Sequence, residues 1–175
     1  MSPGATMKAW QPHRLTVLFL ALLLAPHASA QIVLSETEFE AGSKFAAFFK
    51  VERGCGVSPT VALEVQIPEG VAVLQLPEKP GWALSARRVG SAGKQHVAAV
   101  TWRGRLEAHS PDQFGLFLQL PERPGAVYFP AVQYCANGEV RWTDIPRDAR
   151  HDVPHPAPIL KLTAPHPGPS DHDHH

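Results

Sequence analysis

The sequence predicts an all-β fold, a single antiparallel β-sandwich, and three observations carry that expectation. Stretches of strict period-two alternation place apolar side chains on one face and charged ones on the other, the pattern of half-buried strands. Between these stretches lie short clusters of Pro, Gly, Asn and Glu that suit tight turns. Eighteen Pro and 13 Gly among 175 residues disfavour a helical bundle, and no window holds a helical period beyond two turns.

The elements follow in order. In 43–52, Phe45, Ala47, Phe49 and Val51 share one face, opposite Lys44, Lys50 and Glu52. In 60–67, Val61, Leu63, Val65 and Ile67 point inward while Glu64 and Gln66 point outward. Further strands are expected at 71–76, 82–89, 96–103, 113–120, 126–135 and 139–145. Pro68-Glu69-Gly70, Glu78-Lys79-Pro80-Gly81 and Glu122-Arg123-Pro124-Gly125 read as turns, and Asn137-Gly138 as the turn of a hairpin. Ile159-Leu160-Lys161-Leu162 reads as an added edge strand. Short strands at this spacing fit an immunoglobulin- or cupredoxin-like sandwich.

Residues 1–30 read as an export signal. Lys8 and Arg14 precede an apolar run from Leu15 to Ala25, and Ala28-Ser29-Ala30 is a small-residue cleavage site. The apolar run is too short for a helix across a bilayer of about 30 Å. Cleavage after Ala30 leaves a mature chain starting at Gln31 with a formal charge of −2. The expected organisation is a signal peptide at 1–30, a sandwich at 31–146 and a tail at 147–175 rich in proline and histidine. Beyond Thr163 the tail lacks the apolar surface to offset the cost of ordering, and disorder is expected. Periplasmic location follows from the signal, with no membrane span after cleavage. The balanced charge, without a basic stripe, offers no footprint for nucleic acid.

An oxidising compartment favours a disulfide between Cys55 and Cys135, the two cysteines of the chain. A loop of that length is worth about 4–5 kcal/mol in the chain-entropy treatment. A two-thiolate metal site is the other use of such a pair.

No arrangement in the sequence announces an enzyme. It has no phosphate loop, no His-Glu-x-x-His, no nucleophile elbow and no Cys-x-x-Cys. Glu36, Glu38 and Glu40 form an alternating acidic row that suits a solvated strand face, and His96 suits a sheet surface. The end of the tail differs in kind. His172, His174 and His175, with Asp171 and Asp173, gather three imidazoles and two carboxylates, a donor set for copper, zinc or nickel or simply a solubilising end.

From Gln31 to about Pro146 the chain resembles the YcnI-like family of exported copper-binding β-sandwich proteins. The residues that carry the likeness are Arg53-Gly54-Cys55, Ser58-Pro59-Thr60, Val65-Gln66-Ile67-Pro68-Glu69-Gly70-Val71, Lys79-Pro80-Gly81-Trp82 and Val100-Thr101-Trp102. They continue in order with Asp112-Gln113-Phe114, Tyr128-Phe129-Pro130-Ala131-Val132-Gln133-Tyr134-Cys135 and Gly138-Glu139-Val140-Arg141-Trp142.

The resemblance implies a Cu(II) site at the mature N-terminus, made by the amine and imidazole of a first-residue histidine, a glutamate oxygen and a neighbouring tryptophan. The tryptophan corresponds to Trp142. The histidine is replaced by Gln31 and the glutamate by Gln113. Gln31 still offers its amine unless it cyclises to pyroglutamate, and His109, in the loop before Gln113, is the nearest substitute imidazole in sequence. The set lacks the family's imidazole and carboxylate, so weak Cu(II) binding is expected.

The functional expectation is therefore an exported, non-enzymatic copper-handling protein of the metallochaperone type, with a weakened or remodelled N-terminal site and a metal-binding histidine tail. Copper-transport or copper-resistance proteins are the expected partners. The alternative is a metal-free periplasmic interaction module on the same fold.

Overall fold

The structure, a computed structural model, describes Met1 and residues 31–52, 55–148 and 152–166. Every regular element among them is a strand. In chain order these are β1 (Ile32–Leu34), β2 (Glu38–Glu40), β3 (Lys44–Val51), β4 (Thr60–Gln66), β5 (Ala72–Gln75) and β6 (Ala83–Val89). They continue with β7 (His96–Leu106), β8 (Asp112–Gln119), β9 (Gly125–Tyr128), β10 (Ala131–Cys135), β11 (Glu139–Trp142) and β12 (Ile159–Thr163).

Three sheets result: a four-stranded one in the order β1-β3-β8-β5, a five-stranded one in the order β11-β10-β4-β7-β6, and a three-stranded one in the order β2-β12-β9. Pairing is antiparallel throughout the two larger sheets. The expected all-β sandwich is thus the observed fold.

Alternation in β3 is strict. Phe45, Ala47, Phe49 and Val51 are all buried, while Lys44, Ala46, Phe48 and Lys50 face out. Strand β8 matches it residue for residue, with Phe45 opposite Leu118 and Phe49 opposite Phe114. The inner side chains of β4 and β7, including Leu63, Val65, Val100 and Trp102, close the core from the other layer. Each fully buried Leu or Phe contributes about 1.5–3 kcal/mol relative to an exposed one.

One polar chain crosses this interior. The Gln133 side chain is fully buried; its Nε2 donates to Thr60 Oγ1 (2.7 Å) and its Oε1 accepts from Trp142 Nε1 (3.4 Å). Satisfied in this way, these groups avoid the roughly 1–3 kcal/mol that an unpaired buried polar atom costs. Cys55 and Cys135 form a disulfide between the β3–β4 connection and the end of β10, beside Thr60 of β4.

Three departures from the sequence expectation have physical causes. The strand expected over 126–135 is two strands, broken at Phe129-Pro130. Pro130 has no N–H for a ladder, and the chain passes there from the three-stranded to the five-stranded sheet. Phe129, fully buried, fills the junction while its N–H bonds to Pro158 O.

Second, the expected edge strand at 159–162 is the centre of its sheet. β12 runs parallel to β2 and antiparallel to β9, and it buries Leu160 and Leu162 in the main core. The packed unit therefore continues past Pro146 to Thr163. Third, β1 was not anticipated, since three residues are too few to display a period, and β2 was signalled only by the acidic row of Glu36, Glu38 and Glu40.

Candidate functional site

The outward face of the four-stranded sheet carries a groove of about 620 Å³. Its floor follows from the alternation of β3 and β8. With Phe45, Phe49, Phe114 and Leu118 turned inward, the intervening Ala46, Phe48, Gly115 and Phe117 face out. Phe48, a large aromatic side chain 39% exposed, lies across Gly115. A Cβ at residue 115 would stand 3.1 Å from the Phe48 ring, so glycine lets that ring lie flat on the sheet.

The wall of the groove is the segment between β5 and β6. Pro77 and Pro80 stiffen it, and two anchors hold it down. Lys79 Nζ bonds Asp112 Oδ1 at 2.8 Å and stands 4.9 Å from the centre of the Phe114 ring. Trp82 meets Phe114 edge-on at 4.8 Å and covers Gly104, where a Cβ would come within 2.5 Å of the indole. Gln75 and Gln113 supply the polar margin. The arrangement is a fixed, aromatic-floored trough with hydrogen-bonding groups along its sides.

The residues singled out in the sequence do not assemble into one centre. Gln113 is exposed on the outward face, opposite Lys50, and extending the alternation of β1 places Gln31 on that same side. Trp142 is 1% exposed on the inward side of the five-stranded sheet, so the four-stranded sheet stands between it and Gln113. Its N–H is already engaged by Gln133, and its ring meets His155 at 5.2 Å.

His109 lies exposed in the β7–β8 loop with φ of 64°, and His96 is exposed at the start of β7. His172, His174 and His175 lie outside the described residues, as does the signal peptide. Among the described residues no group of three or more His, Cys, Asp or Glu side chains converges as a metal site. The donors at the inherited positions are two neutral amides, the amine of Gln31 where it is the first residue, and an interior indole, a set without the imidazole and carboxylate that favour Cu(II).

Sequence reasoning passed over Phe48, Lys79 and Gly115, which build the groove, and His155, which touches Trp142. Of these, Phe48 alone left a signal, because Phe48-Phe49 in an alternating strand must turn one ring outward. Titration is shifted elsewhere. The hydrogen bond and charge of Glu38 raise Lys161 above the ordinary lysine range, and Glu107 does the same for Arg105; both cations are fully exposed and outside the groove.

Comparison with one solved structure supports the fold. A Nocardia farcinica protein with an immunoglobulin-like fold is 26% identical, with a TM-score of 0.64 over 77% of this chain and 99% of that one. A chain from a Clostridium thermocellum cohesin–dockerin complex is 11% identical, with a TM-score of 0.42 over 76% of this chain and 98% of that one. No curated protein matches the sequence. Among the described residues no helix is long and apolar enough to cross a membrane. Residues 31–162 match the family described as a domain of unknown function, DUF1775, which is the domain of the YcnI-like proteins, and the chain belongs to that family.

Proposed function

We propose that the protein is an exported, non-catalytic copper-handling protein in which the sandwich is a partner-facing scaffold and the C-terminal histidines are the metal-binding arm. One observation carries this reading. Gln31 and Gln113 stand on the outward side of one sheet, while Trp142 is enclosed behind it with its N–H engaged. Among the described residues no three His, Cys, Asp or Glu side chains converge near those positions, whereas the tail supplies three imidazoles. The basic and apolar leader followed by Ala28-Ser29-Ala30 supports export, and partners are copper-transport or copper-resistance proteins of the same compartment.

The test is a Cu(II) titration followed by electron paramagnetic resonance on the mature chain and on a chain ending at Pro165, after mass spectrometry of the N-terminus. A signal that needs the tail supports the reading. One tight, uniform signal in both proteins overturns it by returning the metal to Gln31 and its neighbours. Silence in both favours a second reading, a metal-free interaction module. The aromatic groove on the outward face supports that second reading, since a metal-binding role does not require it.

A further inference from the structure

We infer that the groove on the four-stranded sheet is the seat of the protein's own C-terminal segment, residues 167–175. The inference goes beyond the copper reading and needs no metal. It rests on where the described chain ends, what the remaining segment is made of and what the groove presents.

The described chain ends beside the groove. After β12, Ala41 N bonds Thr163 O, and Pro165 lies in a depression with Glu40, Gly42, Ser43 and Glu122. His166 Nδ1 stands 3.8 Å from Glu40 Oε2. Gln119 links this depression to the outward face, since its Nε2 donates to Gly42 O at 2.6 Å and to Ser43 O at 3.3 Å. Lys44, opposite Gln119, is the first outward residue of β3, and Ala46, opposite Phe117, begins the groove floor.

The segment that follows is Pro167-Gly168-Pro169-Ser170-Asp171-His172-Asp173-His174-His175. Pro167-Gly168 suits the turn needed to bring the chain back over the sheet. Pro169 and its neighbours favour the extended polyproline conformation, which carries little ordering cost and docks on aromatic-lined grooves. At about 3.1 Å per residue, the seven residues after the turn reach about 22 Å. The path from Ala46 to Lys50 along β3 is about 13 Å.

A chain turning at Pro167-Gly168 would therefore lay Pro169 beside Ala46 and Phe117 and carry Asp171 across Phe48 and Asp173 toward Lys50. Lys44 and Lys50 face out from β3 at the two ends of the path and Glu78 lines the groove between them, so mixed charge meets a segment that itself carries carboxylates and imidazoles. Lys79, on the wall, is held by Asp112.

The experiment compares amide spectra of the full mature chain with those of a chain ending at His166, both in chelator. Docking predicts shift differences at Ala46, Phe48, Gly115 and Phe117 that do not change on dilution. It also predicts their loss in full-length Phe48→Ser, while the resonances of β12 and the core stay in place and report an intact fold. A peptide of residues 163–175 added to the shortened chain should restore the same shifts.

Differences confined to the neighbours of His166, or located on another face, overturn the proposal. Differences that fade on dilution overturn it in favour of a second copy's tail. Because no metal is present, failure here leaves the copper titration to be judged on its own result.

Discussion

On the outward face of the five-stranded sheet the polar side chains engage one another. Thr101 Oγ1 donates to Glu64 Oε2 (3.4 Å), and Arg103 Nη1 donates to Ser85 Oγ (3.0 Å). These residues come from β4, β7 and β6, aligned by register, so their mutual contacts knit adjacent strands. The four-stranded sheet uses its outward face in another way. Its central positions are Ala46, Phe48, Gly115 and Phe117, which leave an apolar strip beneath a pinned wall. The contrast teaches that the two faces have different duties. One is closed by its own side chains, and the other leaves an apolar strip open to solvent, with Phe48 39% exposed.

The largest test of that contrast is to cut the disulfide that fastens the β3–β4 connection, the link from one layer to the other, to β10. Cys55→Ala with Cys135→Ala removes a bridge closing 80 residues, and a loss of about 2–5 kcal/mol in urea unfolding is expected. If the layers form one cooperative unit, hydrogen exchange will rise together in β3 and β10. Exchange rising in the four-stranded sheet alone would show that its open face marks a separately unstable layer, and the contrast would then concern stability as much as binding.

A smaller change strikes the wall of the groove. Gly104→Ala places a methyl 2.5 Å from the Trp82 ring and 2.8 Å from Gly81 O, too close for either to remain. Overpacking of this kind costs about 1–3 kcal/mol. Trp82 should leave Phe114, and the Lys79–Asp112 contact should loosen with it. Tryptophan fluorescence and the Trp82 indole resonance will report the shift. An unchanged indole signal would show that the wall is not held by this contact.

How much of this was legible depended on sequence distance. β3 and β4 were legible because alternation is a local signal, and Phe45, Phe49, Leu63 and Val65 are buried as it requires. The outward position of Gln113 follows from the same rule, since Phe114 turns in. β12 was legible as a strand but not as a central one. Its partner β2 is a three-residue strand more than a hundred positions away, with Lys161 opposite Glu38, and no local pattern reports such a pairing.

Trp142 looked like one wall of a site because the family motif says so. Its actual partner, Gln133, is a buried polar residue of β10, and Thr60 arrives from β4 to accept from its amide. The groove was least legible of all. Phe48 announced an outward ring, but its glycine bed comes from β8 and its wall from the 77–80 segment, and only the folded register assembles them.

The smallest expected effect gives the finest test of the outward face. In Gly115→Ala the new methyl meets the Phe48 ring at 3.1 and 3.3 Å, and that ring has solvent on its far side into which it can tilt. Alanine also restricts the unfolded chain more than glycine, which offsets part of the displacement. Net stability should stay within about 1 kcal/mol of the parent, while the Phe48 ring resonances shift and those of Phe49 and Phe114 hold still. The same methyl raises the groove floor, so the tail-dependent shifts at Ala46 and Phe117 should weaken. A loss as large as that expected for Gly104→Ala would mean that Phe48 is locked against its surroundings, and the face taken here as open would already be closed.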